Sequence, residues 1–382
     1  MTSAPDAVLR DAVPPDAPAV DRLDVSVYTV PTDAPEADGT LEWDTTTMVL
    51  VEAVSGTVTG LGWTYGSPAA ASVVTGRLAA LVTGQSAYDV AGANEEMSRA
   101  VRDVGRQGLV AGAISAVDIA LWDLKARLLG LPLVHLLGAA RPDVPVYGSG
   151  GFTTYSPREL EQQLRDWTQE QDIPRVKIKI GEGRGRAPDQ DLDRIRRARA
   201  VIGDERELYV DADGGYSRKQ AVMIAEHFAD SGVSWFEEPV PCDDLTGLRQ
   251  IRESVPVEIT AGEYAYDLPG FARLIDAGAV DCLQADATRC GGITAWLGAA
   301  AVARSHNLEI SGHHAPHVHA HVAAAVPNLR HVEWFHDHIR IENAFFDGAL
   351  DPAGGVVAPG TSGAPGLGLE IRREAMERYR TA

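Results

Sequence analysis

Three acidic residues recur at equal intervals in the second half of the chain, and each follows a short apolar run. Asp211, Glu237 and Glu263 are each 26 positions apart, about the length of one strand-loop-helix unit in a βα barrel. The runs before them, such as Leu208–Val210, are typical of buried parallel strands. Polar residues at the carboxyl ends of barrel strands face the substrate mouth. The spacing therefore predicts a βα barrel in which the three carboxylates converge at one end.

Converging carboxylates indicate a bound cation. Asp211, Glu237 and Glu263 would supply three oxygen ligands, with no thiolate or imidazole among them. Such a set suits Mg²⁺, because it leaves octahedral positions free for water and substrate oxygens. One isolated acid is more often a helix cap or a loop carboxylate, but three at matched strand ends favour a metal site.

Two lysines lie on the strand that precedes these acids. In Arg175–Gly181, Lys177 and Lys179 alternate with apolar residues, so both project to the same face. Alternating lysines can also protect an exposed edge strand, but a closed barrel has no such edge. We expect the second ammonium group, the metal and burial to lower the pKa of one lysine, which can then take a proton from carbon.

An aspartate and a histidine follow the next two apolar runs. Asp286 ends Cys282–Asp286, and His313 ends Leu308–His313. Asp286 would fix the tautomer of His313, raise the pKa of the imidazole and leave its other nitrogen free to transfer a proton. The alternative is a structural histidine with a capping aspartate.

Together these motifs resemble the enolase superfamily, specifically the mandelate racemase subgroup, or mandelate racemase/muconate lactonizing enzyme family. The N-terminal stretch Ala113–Lys125 also looks like the last helix of the family's cap domain. The resemblance implies an α/β fold, namely a modified TIM barrel, (β/α)7β, with an α+β N-terminal capping domain. The motifs that carry it are Lys177-Ile178-Lys179, Asp211-Ala212-Asp213-Gly214-Gly215-Tyr216, Phe236-Glu237-Glu238-Pro239, Ala261-Gly262-Glu263, Asp286 with Gly291-Gly292, Ser311-Gly312-His313 and Val332-Glu333-Trp334.

The resemblance also implies a role for each site residue. Lys179 and His313 would be bases on opposite faces of the substrate, and Asp286 would partner His313. Lys177 would support Lys179 and touch the substrate carboxylate, while Glu333 would help to stabilise the enolate. The implied catalytic residues are Lys179, His313, Asp286, Lys177 and Glu333, the substrate-binding residues are Lys177, Asp213, Glu333 and His314, and the Mg²⁺ ligands are Asp211, Glu237 and Glu263.

One position departs from the family pattern. Asp213 stands two residues after Asp211, where relatives often have Asn. Its side chain is open to three interpretations: a hydrogen-bond acceptor for substrate, an outer-shell partner of the metal, or a neutral acid with a raised pKa. The substrate of a relative therefore does not transfer directly to this chain.

The implied chemistry is abstraction of the proton next to a carboxylate, with a stabilised enediolate. If His313 then protonates a departing β-hydroxyl, water leaves and a 2-keto-3-deoxy acid forms. By analogy with the subgroup, we favour this dehydration of an acid sugar, a hydro-lyase reaction. Racemisation or epimerisation of a 2-hydroxy or amino acid, with the proton returned to the same carbon, is the alternative. Cycloisomerisation and a metal-dependent binding or scaffold protein fit the two bases less well.

Length and composition fit more than one structural domain. The 382 residues, 45% of them hydrophobic, can fill a barrel and a smaller domain. We expect a disordered leader at residues 1–20, a capping domain at 21–140, the barrel at 141–345 and a C-terminal segment at 346–382 that returns to the cap. Within the cap, the polar segment 32–44 is expected to be a loop that acts as a lid over the barrel mouth.

Charge and cysteine content restrict partners and location. The net charge of −20 argues against binding to nucleic acid or to an anionic membrane, since both favour basic surfaces. Cys242, Cys282 and Cys290 are too few for a disulfide framework and fit a reducing compartment. We expect a cytoplasmic homo-oligomer whose partner is a small-molecule carboxylate substrate.

Eight further histidines in the C-terminal half raise a zinc hypothesis. His317, His319 and His321 follow His313 into a predicted helix, where alternate positions point to different faces, so they cannot bind one ion together. His314 is expected to line the pocket, and the others to lie at the surface or to cap helices. The eight are His306, His314, His317, His319, His321, His331, His336 and His338.

Overall fold

The computed structural model of the protein describes residues 17–382. Its N-terminal domain is a three-stranded antiparallel sheet, in the order β1-β2-β3, covered by helices. The elements are β1 Arg22–Ala37, β2 Glu42–Ser55, β3 Val58–Tyr65, α1 Ala69–Val73, α2 Ala79–Val82, α3 Val90–Ala100, α4 Leu109–Leu128 and α5 Leu133–Leu137, with a π-helical turn, Val74–Leu78, between α1 and α2.

Helix α4 lies between this sheet and the barrel. Its own residues are mostly small or apolar on all faces, and most of them are buried. The helix packs on β3 and on α12 (Gly292–Ser305) of the barrel. Gly62 on β3 allows this close packing, because an added Cβ there would lie 2.3 Å from the carbonyl oxygen of Ala116. The helix predicted over Ala113–Lys125 is therefore present, and it is longer than the motif.

Eight parallel strands form the barrel, which closes through the pairing of its last strand with its first. The predicted α/β fold, a (β/α)7β barrel with an N-terminal capping domain, is confirmed. The strands are β4 Val144–Gly150, β5 Arg175–Lys179, β6 Glu207–Asp211, β7 Val233–Glu237, β8 Glu258–Ala261, β9 Cys282–Ala285, β10 Glu309–Gly312 and β11 Leu329–Phe335.

Helices cover the outside of the barrel, and several begin with strong caps. Ser156 and Glu159 form a reciprocal capping box at the start of α6, as do Ser217 and Gln220 at α9. The helices are α6 Pro157–Arg165, α7 Glu182–Gly185, α8 Pro188–Ile202, α9 Arg218–Ala225, α10 Leu245–Ser254, α11 Leu268–Asp276, α12 Gly292–Ser305, α13 Pro316–Ala324 and α14 His336–Phe345.

Large aromatic side chains fill the amino-terminal end of the barrel. Tyr147, Tyr209 and Trp235 are buried and pack against one another and against His331. The buried lysines and carboxylates of the strands lie at the opposite, carboxyl end, where barrel active sites lie.

The predicted lid segment is a β-hairpin and not a loop. Strand β1 continues to Ala37 and β2 starts at Glu42, and after an irregularity beyond Pro31 the residues Glu36 and Ala37 pair with Trp43 and Glu42; we call residues 32–44 the hairpin. Its turn rests on the barrel mouth, since Arg184 N donates to Gly39 O at 2.9 Å and Thr153 N donates to Ala37 O at 2.8 Å. The sequence predicted a loop here because the segment is polar and contains proline, which is uncommon inside a sheet.

The two chain ends differ in part from expectation. Of the predicted leader, residues 1–16 lie outside the described residues, but Ala19 forms a bridge to Ser86, and Val20 is buried. The C-terminal segment contains β12 Phe346–Asp347, β13 Val356–Val357, β14 Glu370–Ile371 and α15 Arg373–Glu377. Its end pairs with the cap, where Val27 exchanges two backbone hydrogen bonds with Thr381 and Ala382. Between residues 17 and 382, no helix is long and apolar enough to cross a membrane.

Candidate active site

The ionisable residues singled out in the sequence lie together at the carboxyl end of the barrel. Lys177 and Lys179 are on β5, Asp211 and Glu237 end β6 and β7, and Glu333 is on β11. The other three follow strand ends directly or within two residues, and all eight side chains are buried. These three are Glu263 after β8, Asp286 after β9 and His313 after β10.

Lys177 is the centre of a buried ion network. Its Nζ lies 2.6 Å from Glu237, 2.8 Å from Glu333 and 3.1 Å from Asp211. It is completely buried, so it must be stabilised by these carboxylates. Strand alternation places it in the same barrel face as Lys179, as the sequence predicts.

Lys179 pairs with the two aspartates of β6 and its following loop. Its Nζ lies 2.7 Å from Asp211 and 3.0 Å from Asp213. Asp213 adopts a left-handed backbone conformation, with φ of +45°, and burial together with Asp211 raises its pKa well above the usual range. The contact with Lys179 opposes this shift, and the direction agrees with the third sequence-based interpretation of Asp213, an acid with a raised pKa.

The expected lowering of a lysine pKa is not found. Burial lowers the pKa of Lys179, but Asp211 and Asp213 outweigh burial and raise it well above the usual range. The pKa of Lys177 is raised in the same way, by Asp211, Glu237 and Glu333 against burial. The expectation rested on the second ammonium group, a bound metal and burial, whereas these contacts include the surrounding carboxylates and no metal; for the metal-bound site it stays a prediction.

His313 and Asp286 form the expected pair. His313 Nδ1 lies 2.9 Å from Asp286 Oδ2, and His313 Nε2 lies 3.0 Å from Glu263 Oε2. Burial lowers the pKa of His313, but Glu263, Glu333 and the hydrogen bond to Asp286 outweigh it and raise the pKa to about 9. The imidazolium is therefore the dominant form at neutral pH, which suits a group that delivers a proton.

Arg289 completes this side of the site and was missed in the sequence. Its guanidinium contacts Glu263 Oε1 at 3.1 Å and Asp286 Oδ2 at 3.4 Å, and it lies over the ring of Tyr264. The available signal was its position three residues after Asp286, in the loop that follows a barrel strand. Arg289 thus balances two carboxylates that also face His313.

His314 lies next to the catalytic candidates, as expected for a pocket residue. Its ring stacks between His313 and Phe335, with centroid distances of 3.5 and 4.0 Å. Its φ is +55°, and neither ring nitrogen has a hydrogen-bond partner within residues 17–382. Burial and His313 lower the pKa of His314 well below the usual range, so a neutral imidazole is available to a ligand.

Glu333 is held as an anion under the site. It accepts hydrogen bonds from Ser149 Oγ at 2.5 Å and from the backbone N–H of His314 at 3.1 Å. Burial raises its pKa, but Lys177 and His313 outweigh burial and lower it. In this arrangement Glu333 orients Lys177. Ser149 on β4 was also missed, since a serine in a barrel strand carries no distinctive signal.

Most of the other histidines do not lie at the surface. His317, His319, His321, His331 and His338 are all buried, so the expected surface position is wrong for them, although His321 caps α5 by accepting from Val134 N at 3.2 Å. Each is held by polar neighbours instead; for example, His319 Nε2 accepts from Ala287 N at 2.9 Å. For His317, His319 and His321 the surface position failed because α13 packs on β11 and on α5, which its own sequence does not reveal.

The carboxylates fit a hard divalent cation. Ligand oxygens of Asp211, Asp213 and Glu263 lie within 4.8 Å of one another, and the same limit groups Glu237 with Glu263 and His313. Glu263 belongs to both groups, so the three predicted ligands surround one region. Buried carboxylate oxygens of this number are the donors that Mg²⁺ prefers.

A cavity of about 820 Å³ lies between the hairpin turn and the loops that follow β6 and β7, and it meets the site at Asp213. Its wall includes Thr40 of the hairpin turn, Arg184, Asp213 and Glu238. Glu238 was not singled out in the sequence, although it follows Glu237; it is buried with φ of +37°, and its Oε1 has no hydrogen-bond partner within the described chain. The cavity has room for a small polar molecule.

Comparison with known proteins supports the sequence resemblance. Residues 23–138 match the family model for the mandelate racemase / muconate lactonizing enzyme N-terminal domain, and residues 159–375 match the enolase C-terminal domain-like model. L-talarate/galactarate dehydratase from Salmonella typhimurium is 31% identical over 299 residues, covering 76% of this chain and 74% of that protein. Other relatives are named as acid-sugar dehydratases and as cycloisomerases.

Solved structures agree with this relationship. A mandelate racemase/muconate lactonizing enzyme-like protein from Rubrobacter xylanophilus is 51% identical, with a TM-score of 0.92 over 95% of this chain and 100% of that one. A racemase from Streptomyces coelicolor A3(2), crystallised with bound magnesium, is 28% identical, with a TM-score of 0.88 and the same coverage. The chain therefore belongs to the mandelate racemase/muconate lactonizing enzyme family of the enolase superfamily.

Proposed function

We propose that the protein is a Mg²⁺-dependent hydro-lyase that dehydrates an acid sugar to a 2-keto-3-deoxy acid. The observation that carries this proposal is the convergence of two proton-transfer groups on one carboxylate cluster. Lys179 contacts Asp211, and His313 contacts Glu263. The two groups come from β5 and from the end of β10. Two strands lie between β5 and β10 on one side of the barrel, and four strands lie between them on the other.

The three strand-end carboxylates would hold the metal. Asp211, Glu237 and Glu263 would be its ligands, and Mg²⁺, when bound, supplies positive charge opposite the oxygens of the substrate carboxylate. Lys177 adds an ammonium group on the same side, held in place by Glu333. Preorganised charges of this kind lower the barrier to forming an enediolate.

Lys179 would remove the proton next to the carboxylate. In the contacts described above, Asp211 and Asp213 keep a proton on Lys179, so the amine must lose one of these partners before it acts. As a metal ligand, Asp211 would share its charge with the cation, and the pKa of Lys179 would then be lowered towards working pH. Asp213 remains beside Lys179 and positions it.

His313 would then protonate the departing β-hydroxyl. Asp286 fixes the ring through Nδ1, which leaves Nε2 directed towards Glu263 and the reaction region. Loss of the protonated hydroxyl as water gives an enol that becomes the 2-keto acid. The names of the dehydratases among the relatives support this outcome.

The proposal is tested by incubating the protein with a library of acid sugars and 2-hydroxy acids, with Mg²⁺, in D₂O. We expect mass spectrometry to find one substrate that loses water to form a 2-keto acid, and EDTA to abolish the reaction. Deuterium uptake next to the carboxylate without loss of water would replace dehydration by racemisation or epimerisation. If no acid in the library, amino acids included, loses water or takes up deuterium, the proposed chemistry is contradicted.

A further inference from the structure

Three ligand-type side chains meet at the base of the hairpin, away from the active site. Asp33 and Glu36 lie on β1, and His336 is the first residue of α14. One ligand atom from each of the three lies within 4.8 Å of the others, and His336 Nε2 is 2.9 Å from Asp33 Oδ2. The group therefore joins the hairpin to the barrel through residues about 300 positions apart in the chain.

Glu36 has an unsatisfied oxygen in this group. Its side chain is 0% exposed. Oε2 accepts a hydrogen bond from Trp43 Nε1 at 2.8 Å, whereas Oε1 is buried and has no partner among residues 17–382. Because an unpaired buried carboxylate oxygen is costly whether or not it carries a proton, this oxygen indicates a bound group.

Glu36 lies close to a second buried carboxylate. Asp337 is also buried and lies close to Glu36, and the cation that contacts Asp337 is Arg340, at 2.5 Å. Burial and Asp337 raise the pKa of Glu36 to about 9, against the opposing effect of Arg340. A divalent cation at Glu36 would favour the ionised carboxylate and supply a partner for its oxygen.

We propose that Asp33, Glu36 and His336 form a second divalent-metal site that fastens the hairpin to the barrel. Two carboxylates and one imidazole suit Mn²⁺ or Zn²⁺ better than Mg²⁺, which prefers oxygen alone. The Asp33 side chain is 47% exposed, so an ion can enter from solvent. Trp43 on the second strand of the hairpin packs on Phe152 of the barrel. An ion at this site would therefore fix the position of the hairpin, whose Thr40 lines the cavity next to Asp213.

The test counts metal ions by titrating the protein with Mn²⁺ and following free Mn²⁺ by electron paramagnetic resonance. We expect two ions per chain in the natural protein and one in Asp211→Asn, which weakens the active-site metal. Glu36→Gln and His336→Gln should each weaken the second site at least tenfold, while Glu42→Gln, an exposed change on the same hairpin, should keep both ions. One ion per chain, lost in Asp211→Asn and retained in Glu36→Gln, would overturn the proposal.

Hydrogen–deuterium exchange gives an independent measurement that does not depend on catalysis. In the Asp211→Asn protein, Mn²⁺ should slow amide exchange in residues 32–44 at least tenfold, and His336→Gln should remove this effect. His336 is partly exposed, so this variant is expected to fold even if Glu36→Gln does not. Exchange in the hairpin that does not respond to Mn²⁺ would refute the site while leaving the proposed dehydratase unaffected.

Discussion

At the level of single residues, the barrel mouth is a network in which each cation contacts at least two carboxylates. Lys177 contacts three and Lys179 two, and Arg289 bridges Glu263 and Asp286. Removing one charged partner leaves the other buried and uncompensated, which costs several kcal/mol. Substitutions that keep the shape and change one proton-transfer group are therefore the most informative.

Replacing Lys179 by Met should abolish proton abstraction. The thioether keeps the length of the side chain but has no basic nitrogen, and a general base typically contributes ~10²–10⁴-fold to the rate. We expect kcat to fall by at least ~10³-fold, measured as α-deuterium exchange on the identified substrate. The matched control, Lys219→Met, changes an exposed lysine and should keep full exchange.

Replacing His313 by Asn should separate the two proton transfers. The variant retains a hydrogen-bond donor towards Asp286 but cannot deliver a proton to a leaving hydroxyl. We expect Lys179 still to exchange the α-proton with solvent, while formation of the 2-keto acid falls by ~10²-fold or more. Equal loss of exchange and of dehydration would instead assign the first proton transfer to His313.

The raised pKa of His313 should appear as pH-dependent stability of the metal-free protein. Its pKa is about 9 in the folded state, above the ordinary value of ~6.5 for an unfolded chain. The stabilisation is then fully present below the unfolded pKa and is lost as the pH rises through the folded one. We would measure the free energy of unfolding with urea in EDTA. The difference between the natural protein and His313→Asn should shrink as the pH rises from the unfolded to the folded pKa of His313. A difference that does not change with pH would contradict the assignment.

At the level of elements, the hairpin is positioned by its turn. Gly39 lies so close to the ends of β5 and β6 that an added Cβ would be 2.4 Å from Ala212 O and 3.0 Å from Ile180 O. Both neighbours are backbone atoms of barrel strands or their ends, which cannot move aside cheaply. A side chain at position 39 must therefore displace the hairpin.

Replacing Gly39 by Ala should loosen the hairpin without unfolding the barrel. We expect faster amide exchange in residues 32–44 and a reduction of kcat/KM of tenfold or more, because the displaced turn no longer closes the cavity wall at Thr40. Gly92→Ala in α3, where an added Cβ meets nothing within 4 Å, is the matched control. Unchanged exchange and activity in Gly39→Ala would show that the hairpin is not a lid.

At the level of the whole molecule, a buried glutamate connects the cap to the barrel. Glu342 on α14 accepts hydrogen bonds from Trp63 Nε1 at 3.1 Å and Tyr65 Oη at 3.0 Å, both on β3, and lies 2.5 Å from His317 Nδ1 on α13. All four side chains are largely buried. The network fixes the distance between the two domains, and His338 adds a stacking contact with Tyr65.

Replacing Glu342 by Ala should destabilise the whole chain. Three buried donors would lose their acceptor, and each unsatisfied polar group costs ~1–3 kcal/mol. We expect the free energy of unfolding to fall by about 3–5 kcal/mol, measured from the shift of the urea midpoint at constant slope. As a control, Glu374→Ala, an exposed change in α15, should change the free energy of unfolding by no more than ~0.5 kcal/mol. If Glu342→Ala is equally neutral, Glu342 does not stabilise the contact between cap and barrel.

The amino-acid sequence predicts the barrel and most of the ionisable residues at its mouth. Asp211 and Glu237 could be placed because a strand is a local apolar run and its carboxyl end is the next polar residue. Lys177 and Lys179 could be placed because side chains alternate along a strand. These features depend on neighbours within a few positions, so periodicity and spacing were enough to predict them.

The protonation of those residues and the elements that cover them depend on the folded chain. The raised pKa values of the two lysines, the burial of His317 and the pairing of Asp33 with His336 all depend on contacts between distant parts of the chain. Electrostatic energies and desolvation are set by these contacts. Spacing along a chain can name the groups of an active site, but their protonation and enclosure follow from packing in three dimensions.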